Sequence, residues 1–167
     1  MFLIRSSIPS KTLSLRWFSS ATTPHVLRPG DVLRQSRLFT EEDVIQYSKV
    51  SHDSNPLHTD PAAARDVGFE GPLVHGMLVA SLFPRIISSH FPGAVYVSQS
   101  LNFKFPVYIG DHITGEVQAT YLRENKNRYL VKFKTKCLKN GELLVIEGEA
   151  MAMLPTLIFE QEQCKEH

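Results

Sequence analysis

Asp53 and His58 lie five residues apart in the run Asp53-Ser54-Asn55-Pro56-Leu57-His58. An imidazole with its ordinary pKa of about 6.5 gives or takes a proton at neutral pH. A carboxylate within reach of the same water shares that work or orients the ring. Such a pair suits the addition or removal of water across a carbon–carbon double bond. Pro56 fixes its own φ and restricts Asn55, so these two residues are expected to shape a rigid loop. The same residues are also ordinary turn formers, because Asp and Asn bond to nearby backbone amides. His52, His58 and His75 with Asp53 could also hold a metal, but no His-x₃-His or Cys-x₂-Cys spacing supports one. No metal and no cofactor are predicted.

His75-Gly76 opens an apolar stretch that reads as a helix. The first backbone N–H groups of a helix have no intrahelical acceptor and can receive an oxygen that gains negative charge. Glycine admits a close approach there. Packing of the helix on a sheet is an equally simple reason for Gly76.

Several elements must position these groups. Thr40-Glu41-Glu42-Asp43 has the cap and the acidic first turn of a helix that runs to about Ser51, with Val44, Tyr47 and Ser48 on one face. The polar segment 51–60 should be a loop. Asp60-Pro61 starts a short helix that ends near Gly68. From His75 onward a helix apolar nearly all round should be buried, with Pro84 kinking it or ending its first part. Period-two patterning follows in Leu101, Phe103 and Phe105, in Ile113 to Tyr121, and in Tyr129 to Cys137. Asn140-Gly141 is a hairpin turn that leads into Leu144 to Ala152. The expected class is α+β: a curved antiparallel sheet wrapped around one central helix.

The composition sets the outer limits. With 167 residues, 43% apolar and a net charge of +1, the chain suits one domain and carries no nucleic-acid footprint. No apolar run is long enough for a spanning helix. The first acidic residue is Asp31, preceded by Arg5, Lys11, Arg16 and Arg28 and by six serines in the first twenty positions. That is the composition of a mitochondrial import presequence, expected over residues 1–22. A domain over 23–155 and a frayed tail over 156–167 complete the expected organisation. Cys137 and Cys164 have no metal or disulfide spacing. Lys132, Lys134 and Lys136 are expected on solvated strand surface; the alternative is a dock for an anionic carrier.

Taken together, Asp53 to His58, Asp60-Pro61-Ala62, Pro72 to Leu78, Phe103 to Val107 and Gly110-Asp111 resemble the MaoC-like, (R)-specific hydratase 2 family of hot-dog proteins. The resemblance spans roughly residues 27–154. It implies a hot-dog fold, a homodimer and no cofactor. It assigns Asp53 and His58 to the catalytic water and the Gly76 amide to the thioester oxygen, with His75 expected beside it as a substrate-binding residue. The reaction implied is reversible, (R)-specific interconversion of 3-hydroxyacyl and trans-2-enoyl thioesters. With the presequence, the expected direction is loss of water from an acyl-carrier-protein thioester in the mitochondrial matrix. An enoyl-CoA hydratase is the near alternative. A thioesterase is disfavoured because no acid lies between Gly71 and Phe91, and a non-catalytic subunit because Asp53 and His58 are both present. The chain departs from the family at His52, where relatives often carry glycine, and at Pro84, where some short-chain hydratases carry serine.

Overall fold

The computed structural model describes residues 24–160. The expected presequence, most of the expected tail and Cys164 lie outside the described residues. In chain order the elements are β1 (Pro24–Val26), β2 (Val32–Leu38), α1 (Glu41–Ser51), a 3-10 turn (Pro56–His58), α2 (Pro61–Asp66), α3 (Gly76–Ala80), α4 (Leu82–His90), β3 (Val95–Phe103), β4 (His112–Asn125), β5 (Arg128–Lys139), β6 (Leu143–Leu154) and β7 (Ile158–Glu160). Among them, no helix is long and apolar enough to cross a membrane.

Five strands form one antiparallel sheet in the order β2-β4-β5-β6-β3. The inward residues are those that the period-two pattern selects: Ile113 and Val117 on β4, Val131 and Phe133 on β5, Ile146 and Ala150 on β6, all buried. The helical stretch packs on this face through Leu82, Phe83, Ile86 and Ile87, each essentially inaccessible. Each such side chain contributes about 1.5–3 kcal/mol on burial. The stretch is divided at Ser81, between α3 and α4. Pro84 explains the division: it has no N–H for the carbonyl of Ala80, four residues earlier, and its ring would clash there. Ser81 then bonds back, Oγ to the Leu78 carbonyl at 2.6 Å.

Local signals set several boundaries. Thr40 and Asp43 form a capping box at the start of α1, and their backbone hydrogen bond and the Arg37 guanidinium hold the Asp43 carboxyl below its ordinary pKa. Asn140 and Gly141 both have positive φ, as the two-residue hairpin turn requires.

Four expectations need correction. First, β2 was not visible as a strand. It lies at a sheet edge, pairs only with β4 and buries only Leu33, so most of its residues are polar. Second, the strand over 101–105 actually runs from Val95 and ends at Phe103. Phe103 and Phe105 are 53% and 55% exposed, not core. Third, the tail was expected to fray from 156, but Ile158–Glu160 pairs with Pro24–Val26, and Leu27 N donates to the Leu157 carbonyl at 2.8 Å. The anchor is Phe159, buried edge-on against His25, His90 and Phe91. The short run Leu157-Ile158-Phe159, followed by polar residues, is too brief to show a strand period. Fourth, Pro84 is exposed and does not reach the cavity described below.

Candidate active site

The loop between α1 and α2 brings Asp53 and His58 together. Asn55 caps the 3-10 turn by accepting from Leu57 N at 3.1 Å, and Pro56 is the first residue of that turn. Asp53 accepts from Asn55 N at 3.3 Å through Oδ1. These bonds fix the backbone of the turn around Asn55 and Pro56. The other carboxylate oxygen, Oδ2, lies 3.9 Å from His58 Nε2. That is too long for a direct hydrogen bond, yet short enough for one oxygen atom to bond to both groups at ordinary distances. The Asp53 side chain is 51% exposed and that of His58 13%.

The proton on His58 can be assigned from its partners. Its Nδ1 lies 2.8 Å from the Leu73 carbonyl, which only accepts, so Nδ1 donates. In the neutral ring this leaves the lone pair on Nε2, the atom that faces Asp53. Leu73 is held in turn by its N–H to the Leu57 carbonyl at 2.9 Å and by a bridge to Tyr108. Sequence reasoning missed Leu73, because a backbone carbonyl carries no side-chain signal.

His58 also lines a cavity of about 480 Å³. Its walls include Gly76, Met77, Phe103, Phe105 and Ile146, and no carboxylate. His58 therefore presents its imidazole to a largely apolar recess, with Asp53 beside it, a usual form of site for an amphipathic small molecule. Gly76 is the first residue of α3, so its N–H has no intrahelical acceptor. A Cβ there would lie 2.6 Å from Phe103 Cε1, so a larger residue requires the Phe103 ring to move.

The His75 side chain is only 2% exposed and does not line the cavity. It lies against His58, with ring centroids 3.6 Å apart and planes at 23°, and against Tyr47 of α1 at 4.9 Å. Its side chain is therefore not a substrate contact, unlike the expectation for this position. Burial, with the neighbouring His58, pushes its pKa below 6.5 despite the Asp53 carbonyl and charge, so the ring is neutral at physiological pH.

Asp53, His58 and His75 offer ligand atoms within 4.8 Å of one another. The lone pairs of stacked rings lie in separate planes, here 23° from parallel and with centroids 3.6 Å apart, whereas an ion needs them to converge on one point. The arrangement suits proton transfer better than metal binding. Cys137 is buried in β5, and burial pushes its thiol up to about 12, which leaves it inert as a nucleophile.

The basic stripe on β5 is solvated strand surface. Lys132, Lys134 and Lys136 are exposed and alternate with buried Val131, Phe133, Thr135 and Cys137. Glu116 and Glu147 flank Lys136, and Glu149 lies beside Lys134. The cavity lies on the opposite, inward face, where Ile146 points. A carrier dock there is not favoured.

His52, the C-cap of α1, has φ of 59°. A left-handed backbone costs a non-glycine residue about 1–2 kcal/mol, though glycine also loses more entropy on folding. His52→Gly should therefore raise stability by about 0.5–1 kcal/mol, seen as a Tm increase of roughly 2–3 °C in calorimetry. Turnover should not change, because among the described residues the His52 side chain makes no hydrogen bond or ion pair to Asp53 or His58.

Comparison with known proteins places this arrangement. Residues 26–140 match the model of the MaoC like domain. A mitochondrial 3-hydroxyacyl-[acyl-carrier-protein] dehydratase of Arabidopsis thaliana is 62% identical over 93% of this chain and 94% of its own. An (R)-specific enoyl-CoA hydratase of Aeromonas caviae is 43% identical over 77% of this chain and 96% of its own. The solved structure of an (R)-hydratase from A. caviae superposes with a TM-score of 0.72 at 42% identity, covering 77% of this chain and 98% of that one. The chain belongs to the MaoC-like dehydratase family, and its five-stranded sheet around a central helix is the hot-dog fold.

Proposed function

We propose that the protein is a hydro-lyase that removes water from (3R)-3-hydroxyacyl-acyl-carrier-protein to give the trans-2-enoyl thioester, in mitochondrial fatty acid synthesis. The observation that carries this is the Asp53–His58 pair, 3.9 Å apart, with His58 lining a largely apolar recess. Similarity over 93% of the chain to a mitochondrial dehydratase supports the substrate and the compartment. So does the basic, serine-rich, acid-free composition of residues 1–22.

In this reading the acyl chain lies in the recess and the thioester carbonyl faces the Gly76 N–H. His58 Nε2 takes the proton from C2, and negative charge builds on the thioester oxygen, where the amide bonds to it. The bond between C3 and the hydroxyl oxygen then breaks. The imidazolium returns the same proton to the departing oxygen, which leaves as water. Asp53 accepts a hydrogen bond from that hydroxyl and stabilises the imidazolium, while Leu73 keeps the proton-free nitrogen aimed at the substrate. Both proton-transfer steps run equally in reverse, so the same site hydrates an enoyl thioester.

The test is kcat/KM on matched acyl-carrier-protein and coenzyme A thioesters. A preference for the carrier protein supports the dehydratase. A large preference for coenzyme A would favour the enoyl-CoA hydratase reading instead, which the 43% identity to the A. caviae enzyme supports.

The protein is further proposed to act as a homodimer through the free edge of β3. Among the described residues that strand pairs only with β6, and Val95, Val97 and Phe103 are about half exposed along it. An apolar, unpaired edge is a template for a second strand. Light scattering should give twice the chain mass; a monomer at micromolar concentration would reject the edge pairing.

A further inference from the structure

We propose that His75, supported by Ser48 of α1, is a positioning residue that holds both members of the Asp53–His58 pair in register. This rests on the reading of that pair as the reacting groups. His75 touches each member differently. Its ring stacks on the His58 ring, which limits the orientations open to that imidazole. Its Nε2 lies 3.3 Å from the Asp53 backbone carbonyl and 3.3 Å from Ser48 Oγ.

The proton on His75 follows from these contacts. The carbonyl only accepts, so Nε2 carries the proton and shares it between Asp53 O and Ser48 Oγ. The other nitrogen, Nδ1, is buried and has no hydrogen-bond partner among the described residues. With the proton on Nε2, the unpaired atom is a lone pair. With the opposite tautomer it would be a buried N–H, and the Asp53 carbonyl would face a lone pair. Buried donors are the groups that proteins least often leave unpaired.

A tether is needed because the Asp53 segment is exposed. Asp53 follows the left-handed His52, and its N–H is held only by Ser51 Oγ at 3.2 Å. The carbonyl bond to His75 ties this turn to buried structure. Ser48, one turn before the end of α1, fixes the far end of the tether. His75 is also the residue before Gly76, so the same anchor sets where the first amide of α3 lies. One buried side chain thus links the carboxylate, the imidazole and the amide without touching the substrate.

The variants Ser48→Ala, Ser48→Thr and His75→Gln test this, measured beside His58→Ala in the full-length protein. Loss of one supporting hydrogen bond is worth about tenfold. Ser48→Ala should therefore lower kcat about threefold to tenfold with KM unchanged within twofold. Ser48→Thr, which keeps the hydroxyl, should recover most of that loss. His75→Gln should lower kcat further, about a hundredfold, still short of the loss in His58→Ala. Imidazole ¹⁵N shifts in the wild-type protein should show His75 neutral and protonated at Nε2. Unchanged kcat in both Ser48→Ala and His75→Gln would overturn the proposal. A rise in KM at constant kcat would do the same, since it marks a substrate contact, and so would protonation of His75 at Nδ1. Should His75→Gln unfold, the kcat of Ser48→Ala and the ¹⁵N shifts decide. Full activity in His58→Ala would count against the reading of the reacting pair itself.

Discussion

His58→Ala lowers kcat by about a thousandfold or more while the protein keeps its fold. General acid–base catalysis contributes about 10²–10⁴-fold, and in the proposed cycle one nitrogen does both halves of the proton transfer. The variant removes the base, and nothing else lining the cavity replaces it, because no other wall residue among those described is a histidine or a carboxylic acid. Asp53→Asn keeps the size of the side chain and removes its charge. Its effect should be smaller, about a hundredfold, since Nε2 remains but the imidazolium loses its counter-charge. Both variants should unfold within a few degrees of wild type. Asp53 is half exposed, and His58 contributes one side-chain bond to a backbone carbonyl. Circular dichroism melts beside steady-state rates check this. Loss of activity with loss of fold would mean that the loop is structural and its chemistry incidental.

Gly148→Ala is expected to destabilise the protein more than any other single methyl group. Gly148 lies on the inward side of β6, opposite Leu101 of β3. A Cβ there would lie 1.9 Å from the Ser100 carbonyl oxygen and 2.8 Å from its carbonyl carbon. Those are backbone atoms of the paired strand, so no side chain can rotate away. β3 must lift from β6, or the sheet must shear. Overpacking typically costs 1–3 kcal/mol, and a backbone collision belongs at or beyond the upper end, at about 3 kcal/mol or more. For a domain with about 5–15 kcal/mol in hand, that is a large fraction. Calorimetry should show Tm lower by roughly 10 °C. Activity should fall as well, because Phe103 at the end of β3 forms a cavity wall. A Tm within about 2 °C of wild type would mean that the two strands separate more easily than their pairing indicates. Gly76→Ala differs in kind: its clash is with an exposed Phe103 ring, which can turn aside.

Much of this site is legible in the chain because its residues act locally. Asp53, Asn55, Pro56 and His58 lie within six positions, and the turn that unites them is made from their own side chains. The same holds for the Thr40–Asp43 cap and the Asn140-Gly141 hairpin. The buried strands are legible because one solvated face forces alternation, as Val131 to Cys137 shows. What the sequence hides is non-local. The strand β2 has one neighbour and a polar surface, so it lacks a pattern. Phe103 and Phe105 have the spacing of core residues but stand at the cavity, because the strand ends between them. His75 is apparent as a residue beside Gly76, but its place behind His58 depends on α1, α3 and the loop meeting. Leu73 contributes only a carbonyl, which every residue possesses.

The most direct test of the central claim is the product formed from a trans-2-enoyl-acyl-carrier-protein in deuterated water. The proposed site should give (3R)-3-hydroxyacyl product with one deuterium at C2 and the thioester intact, and His58→Ala should give almost none. Product of the opposite configuration, release of free thiol, or undiminished turnover in His58→Ala would contradict it.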